Sequence, residues 1–452
     1  MLKNKSLYQT TFLCSLFSFL SMFPFSAHAI TREAAIQYAL EKSESMRIIE
    51  ESAKSVRAEA QKITAFTKPQ LSVESLYLEM GDNSEPNPFF ETPDRNMSAE
   101  IAGSQLLFAG GRIWRSLELE KKLWNRADLH CSTGKRDIVK GVKMAFDTVL
   151  LEQAVLDILT DRLRQRQNEL DDAKDLREAG MVTSLDVRQA MLNLSFAQDA
   201  LKEEETSYRE ALIDFNLSLG RSGEEEPWIP EGKLEEIPNM DILLGRLKTA
   251  FSNGNLLDIV AKKNQADAAE LSYEIAKGEG LPAVALVASG KTDGEELDET
   301  DESWNLGIQL NWNIFDGGLV RAKTASALSE LRMADEELKK TEKMLAGEIE
   351  KIGITIRSFE ERIRLQREAV NLSRQNYEDA REQYRAGTIT LTQLGDFSLG
   401  YAEARFILQR LFFSQRGLLN NTEALLEEIP LSENSGETVS KKRSGSLREN
   451  LN

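Results

Sequence analysis

Phe108-Ala109-Gly110-Gly111 returns as Phe315-Asp316-Gly317-Gly318, 207 residues further on, and Gly180-Met181-Val182-Thr183 returns at the same interval as Gly387-Thr388-Ile389-Thr390. Two different punctuation marks sharing one offset require equal element lengths between them, so the chain is a duplication. Each half reads as helix, strand, strand, very long helix, turn, helix. Gly110, Gly111, Gly317 and Gly318 read as strand-to-helix turns. Gly180 and Gly387 read as turns between antiparallel helices, where a residue with positive φ is needed.

Working outward from these marks, no proline occurs from Gly110 to Glu226 or from Gly317 to Ile429. Helices over Arg112–Ala179 and Leu319–Ala386 would each run 68 residues, or about 100 Å at 1.5 Å per residue. The second carries a heptad: Leu338, Leu345, Ile349, Ile352, Ile356, Phe359, Ile363, Val370, Tyr377, Ala380 and Tyr384 follow 3/4 spacing, with Glu342, Gln366 and Ser373 as polar slots. The first keeps the period through Val139, Val142, Phe146, Val149, Leu156, Leu163 and Leu170, with more interruptions. A sustained 3.5-residue period marks a coiled coil, although an ordinary long hairpin shares it. Shorter helices are expected over about Thr31–Phe66, Val182–Leu219, Leu244–Lys277 and Thr390–Glu428. Two of them end to end match one long helix.

Strands are expected over about Gln70–Met80, Met97–Phe108, Ala283–Ser289 and Trp304–Phe315. In the last, Trp304, Leu306, Ile308, Leu310, Trp312 and Ile314 alternate with Asn305, Gly307, Gln309, Asn311 and Asn313. An apolar face with tryptophan near each end, backed by a small or amide face, is the pattern of a membrane barrel strand with a lipid-facing girdle at Trp304 and Trp312. A soluble sandwich strand also alternates, but its outward face usually carries charge. The polar stretches Gly81–Asn96 and Gly290–Ser303 read as long external loops.

Residues 1–29 read as a signal peptide: Lys3 and Lys5, an apolar run from Thr11 to Phe25, then Ala27-His28-Ala29. Its removal takes away two lysines and no acid, shifting the formal charge from −18 to −20. Such acidity argues against nucleic acid. Beyond the leader stand one cysteine, Cys131, and one histidine, His130. No disulfide, metal site, cofactor or catalytic triad is expected from that inventory. The first repeat spans 30–239 with a linker at 221–239, the second spans 240–430, and 431–452 reads as a disordered tail.

Outside the leader there is no run of 18 apolar residues, so a spanning chain must span by strands. Four strands cannot close a barrel, and an open edge in hydrocarbon leaves backbone groups unpartnered. Several copies must therefore pool their strands in a ring. Periodicity alone leaves two, three or four protomers open.

The order helix–Pro–strand–loop–strand–Phe-x-Gly-Gly–long helix–Gly-x-x-Ser/Thr–helix, written twice behind a leader, resembles the TolC-like outer-membrane factor family over essentially the whole mature chain. The resemblance implies a homotrimer: an α+β membrane protein with a twelve-stranded outer-membrane β-barrel continued by a twelve-helix coiled-coil barrel in the periplasm. It implies a passive exit duct for efflux pumps and type I secretion systems, partnered by a periplasmic adaptor and an inner-membrane transporter. It places adaptor docking at the tip turns (Gly180, Val182, Thr183, Gly387, Ile389, Thr390) and a periplasmic gate at Asp186, Tyr384, Gln393 and Asp396. In that reading Asp186 ties to Tyr384, and Asp396 supplies an acidic ring. Gln393 replaces the ring's second acid, and Ile389 stands where a gate-locking arginine is expected. A periplasmic adaptor or coiled-coil scaffold is the alternative, which the two Phe-x-Gly-Gly strand pairs disfavour.

Overall fold

The computed structural model describes residues 29–79, 95–223, 226–296 and 299–426. The expected leader up to residue 28, most of the first external loop and the expected tail lie outside them.

The two long helices match in length and spacing. Helix α3 (Arg112–Glu178) and helix α7 (Leu319–Arg385) are 67 residues each and 207 apart at both ends. Helix α4 (Ser184–Ser218) and helix α8 (Leu391–Leu426) also begin 207 apart. The lower parts of α3 and α7 pack against α4 and α8; their upper parts pack against α2 (Glu44–Ala65) and α6 (Leu257–Gly278). The short helices stack end to end as expected: a Cβ on Gly220, just past α4, would come within 2.8 Å of Ser43 Cα at the start of α2.

Two expected helices are broken. Ser43 separates α1 (Arg32–Lys42) from α2, because its hydroxyl accepts from Met46 N–H and caps the second helix. The expected helix over Leu244–Lys277 begins earlier and splits into α5 (Met240–Ser252) and α6, with Gly254 at φ 68° in the break.

Heptad residues Leu345, Ile349, Ile352, Ile356, Phe359, Ile363, Tyr377, Ala380 and Tyr384 are all buried. One polar slot is explained: Gln366 donates across to Ala404 O on α8 at 2.9 Å. His130 is exposed and Cys131 half-buried on α3.

At mid-height, β1 (Ala29–Ile30) pairs in parallel with β4 (Ile229–Pro230). The linker is stapled twice by amides that mimic a strand neighbour. Asn216 accepts from Trp228 N–H and donates to Trp228 O. Gln415 does the same to Ile237, at 2.9 and 3.1 Å. Both amides are buried, so each bond is made in a medium where losing it is costly. Nearby, buried Asp147 on α3 accepts from Arg32 and from Asn420 of α8. Burial raises the Asp147 carboxyl above its ordinary range despite these donors.

One four-stranded antiparallel sheet tops the helices in the order β2 (Gln70–Glu79), β3 (Arg95–Ala109), β5 (Ala283–Glu296), β6 (Glu299–Asn311). The expected loop Gly290–Ser303 is corrected. β5 and β6 continue through most of it, pairing Lys291 with Ser303, Thr292 with Glu302 and Asp293 with Asp301. The charge of this stretch is compatible with strand because a hairpin projecting into water tolerates such residues. β6 stops at Asn311, so Trp312 and Ile314 lie beyond the strand rather than in it.

Candidate functional site

The two inter-helix turns are copies of one structure. Gly180 (φ 76°) and Gly387 (φ 71°) take the left-handed conformation that ends α3 and α7. Met181 N–H reaches back to Leu176 O at 2.8 Å, and Thr388 N–H to Gln383 O at 3.0 Å. Each following helix then opens on a reciprocal cap. Thr183 N–H donates to the Asp186 carboxylate at 2.8 Å, while Asp186 N–H donates to Thr183 Oγ1 at 3.3 Å. Thr390 and Gln393 repeat this at 2.9 and 3.2 Å. A Cβ on Gly387 would meet Met181 Cε at 2.7 Å, so the two turns touch and form one tip. Val182 and Ile389 pack against the apolar cluster behind it.

This geometry explains Asp186 and Gln393 as helix caps. Donors from Thr183 hold the Asp186 carboxyl below its ordinary range. The expected tie is not formed: Asp186 makes no hydrogen bond to Tyr384 among the described residues, and its Oδ2 accepts from Thr183 N–H and Oγ1 instead. Tyr384 is 1% exposed and its hydroxyl has no hydrogen-bond partner among the described residues. Burial first, then the Asp186, Asp172 and Glu169 carboxyls, push its phenol up to about 12. Asp396 is exposed and makes no ion pair among the described residues.

Directly above the tip stands a polar cluster that the heptad reading passes over. Asp172 on α3 is 9% exposed and is gripped by two arginines of α7, Arg381 at 3.2 Å and Arg385 at 2.8 Å. Buried Glu169 pairs with Arg166 at 2.6 Å within α3. Asp161 joins Arg405 of α8 at 2.9 Å. Charged side chains therefore link the first helical pair to the second just inside the tip. The interruptions in the α3 heptad after Leu163 are the sequence signal for this cluster.

At the other end, Gly110 (φ 59°), Gly111 (φ 81°), Gly317 (φ 68°) and Gly318 (φ 92°) turn the strands into the long helices. In the second copy Asp316 accepts from Gly318 N–H and Val320 N–H; Ala109 cannot do this in the first. The sheet's register puts Leu71, Val73, Tyr77, Ile101, Leu286, Trp304, Leu306, Ile308 and Leu310 on one face, all exposed. The opposite face carries Ser72, Glu74, Glu100, Ser104, Ser289 and Asn305, with Asn305 bonded to Ser289 at 2.8 Å. Trp304 is 82% exposed on the apolar face, while Trp312 donates its indole N–H to Gly280 O below the strand. Both outer edges, β2 and β6, lack a strand partner among the described residues. Among those residues no helix is long and apolar enough to cross a membrane, and no cluster of His, Cys, Asp and Glu could hold a metal ion.

The comparisons agree with this architecture. The outer membrane efflux protein family model matches residues 35–221 and 253–405. The probable efflux pump outer membrane protein SepC and the toluene efflux pump outer membrane protein TtgF, both of Pseudomonas putida, are each 26% identical over 289 residues, 61% of this chain. The match spans 58% of the length of each of those relatives. The fold is that of the Vibrio cholerae outer membrane protein VceC, with TM-score 0.75 at 18% identity over 88% of this chain and 96% of that one. The Campylobacter jejuni CmeC outer membrane channel gives 0.74 at 13% identity over 87% and 85%. With two long helices carrying a shared sheet and the family model covering most of its length, the chain belongs to the outer membrane efflux protein family and sits in the outer membrane with a helical periplasmic domain.

Proposed function

We propose that the protein is the exit duct of a tripartite efflux pump, a homotrimer that passes cargo from an inner-membrane transporter to the exterior. The observation that carries this reading is the four-stranded sheet with two open edges and an apolar exposed face, mounted on rods about 100 Å long. Three copies supply twelve strands, which is enough to close a barrel. A second seam supports the ring: Met333, Met344, Ile354, Leu365 and Leu372 on α7 keep the 3.5-residue period but stand exposed in the single chain. The relatives named for efflux pumps favour efflux over type I secretion.

In this reading residues 30–239 and 240–430 are the two repeats, and the turns at Gly180–Thr183 and Gly387–Thr390 dock a periplasmic adaptor. Asp186, Tyr384, Gln393 and Asp396 belong to the gate. Asp396, exposed and without an ionic partner among the described residues, supplies the acidic ring. Trp304 anchors the barrel at the lipid interface. The test is planar-bilayer recording on the detergent-purified protein. A cation-preferring conductance from a trimer is expected, with the preference reduced in Asp396→Ala. A monomer that conducts nothing sinks the proposal.

A further inference from the structure

A cavity of about 310 Å³ lies at mid-height between α3, α5 and α8, far from the tip and from the sheet. Four cations line it: Arg136, Lys140 and Lys143 from α3, and Arg246 from α5. Glu423 is the one carboxylate among the described lining residues. Two cations are already neutralised, Lys143 by Glu423 at 2.8 Å and Arg136 by Asp258 at 3.0 Å. Lys140 and Arg246 have no ion-pair partner among the described residues. They reach the cavity from different helices, so their convergence is not the solvated face of a single element. In a chain of formal charge −18, these pairings still leave two converging cations, Lys140 and Arg246, without a paired acid among the described residues.

The remaining wall is mostly apolar, formed by Val139, Leu243, Ala424 and Leu426, with the Asn420 amide as its one polar group among the described lining residues. A bare inorganic anion would leave this wall unused, and a neutral hydrocarbon would leave two cations uncompensated. The volume falls at the small end of ligand pockets, which run from about 300 to 1,000 Å³. We propose that this cavity binds a small organic anion, an acid group carried on a compact apolar body. Lys140 and Arg246 hold the acid, and Val139, Leu243 and Leu426 cover the body. Because its walls come from both repeats, an occupant joins them and stabilises the folded state by mass action.

Benzoate is the probe, titrated calorimetrically into the detergent-solubilised full chain, with acetate as the head-only control and benzyl alcohol as the body-only control. Benzoate is expected to bind saturably, with acetate and benzyl alcohol each at least about tenfold weaker. Lys140→Gln/Arg246→Gln is expected to weaken benzoate about tenfold or more, and Arg246→Gln alone roughly threefold. Neither side chain makes an ion pair, so the variants should keep the wild-type unfolding temperature. If the double variant fails to fold, Arg246→Gln, at an exposed position, decides. The proposal is overturned by no saturable benzoate binding, by equal binding of benzyl alcohol, or by variants that bind benzoate as the wild type does.

Discussion

Glu152 on α3 and Glu204 on α4 face each other across the first coiled coil. Burial first, then the Glu152 carboxyl, push Glu204 up to about 8. An unfolded glutamate titrates near 4.3. Between those values the folded chain holds a proton that the unfolded chain has released, so stability falls as pH rises through the window and is lowest above 8. Glu204→Gln should flatten that decline, raising the melting temperature at pH 9 by roughly 1–3 °C, a modest gain because both carboxyls are only half-buried, and leaving it unchanged at pH 5. Circular dichroism melts at the two pH values measure this; an equal shift at both would show that the proton is not involved.

Asp172 is a second residue-scale lever. Its bonds to Arg381 and Arg385 tie α3 to α7 just inside the tip, where Ile389 offers no charge. Asp172→Asn is expected to raise single-channel conductance several-fold. Asp172→Arg combined with Arg381→Asp and Arg385→Asp should bring it back. A triple variant as leaky as the single one would mean that the link is structural and not a latch.

The duplicated elements are alike in sequence but not in surroundings, and that difference can be tested. A Cβ on Gly110 would lie 2.6 Å from Leu281 Cβ and 2.7 Å from Gly278 O, whereas one on Gly317 meets nothing within 4 Å in the protomer. Both glycines have positive φ, so alanine carries the left-handed strain of about 1 kcal/mol at either site. Only at Gly110 must backbone also move. Gly317→Ala should therefore lower thermal stability modestly, and Gly110→Ala far more, in parallel unfolding scans. The repeated Phe-x-Gly-Gly announces both turns but hides this asymmetry, since the crowding comes from Gly278 and Leu281, more than 160 residues away.

The same logic separates what was legible from what was not. Helix lengths follow from proline-free runs and glycine stops, so α3 and α7 were readable to within a residue. The break at Ser43 was not, because a serine between Lys42 and Glu44 becomes a cap only once α2 packs on α3. Nor was the Asp172 cluster, because a heptad scan counts apolar seams and treats buried charge as interruption. The capping roles of Asp186 and Gln393 are legible as Thr-x-x-Asp and Thr-x-x-Gln, a local signal that needs no tertiary contact.

At the scale of the whole molecule, the sheet is open at both edges among the described residues. Every residue of β2 is exposed, and β2 and β6 end the sheet without strand partners among the described residues. Unpaired strand edges are costly in hydrocarbon, at several kcal/mol for each unsatisfied group. In a ring of identical copies the β2 of one protomer has only the β6 of the next to meet, since β3 and β5 are already paired on both sides. With Cys131 replaced by Ser, a cysteine at Val73 of β2 and a second cysteine moved one residue at a time along β6 from Trp304 to Leu310 should therefore yield disulfide-linked oligomers. The ladder should stop at three chains, and only cysteines on the apolar face of β6 should cross-link, because Val73 shares that face. A ladder ending at two or four would change the strand count of the barrel, and cross-links equally efficient at both faces would mean that the edges meet by collision and not in register.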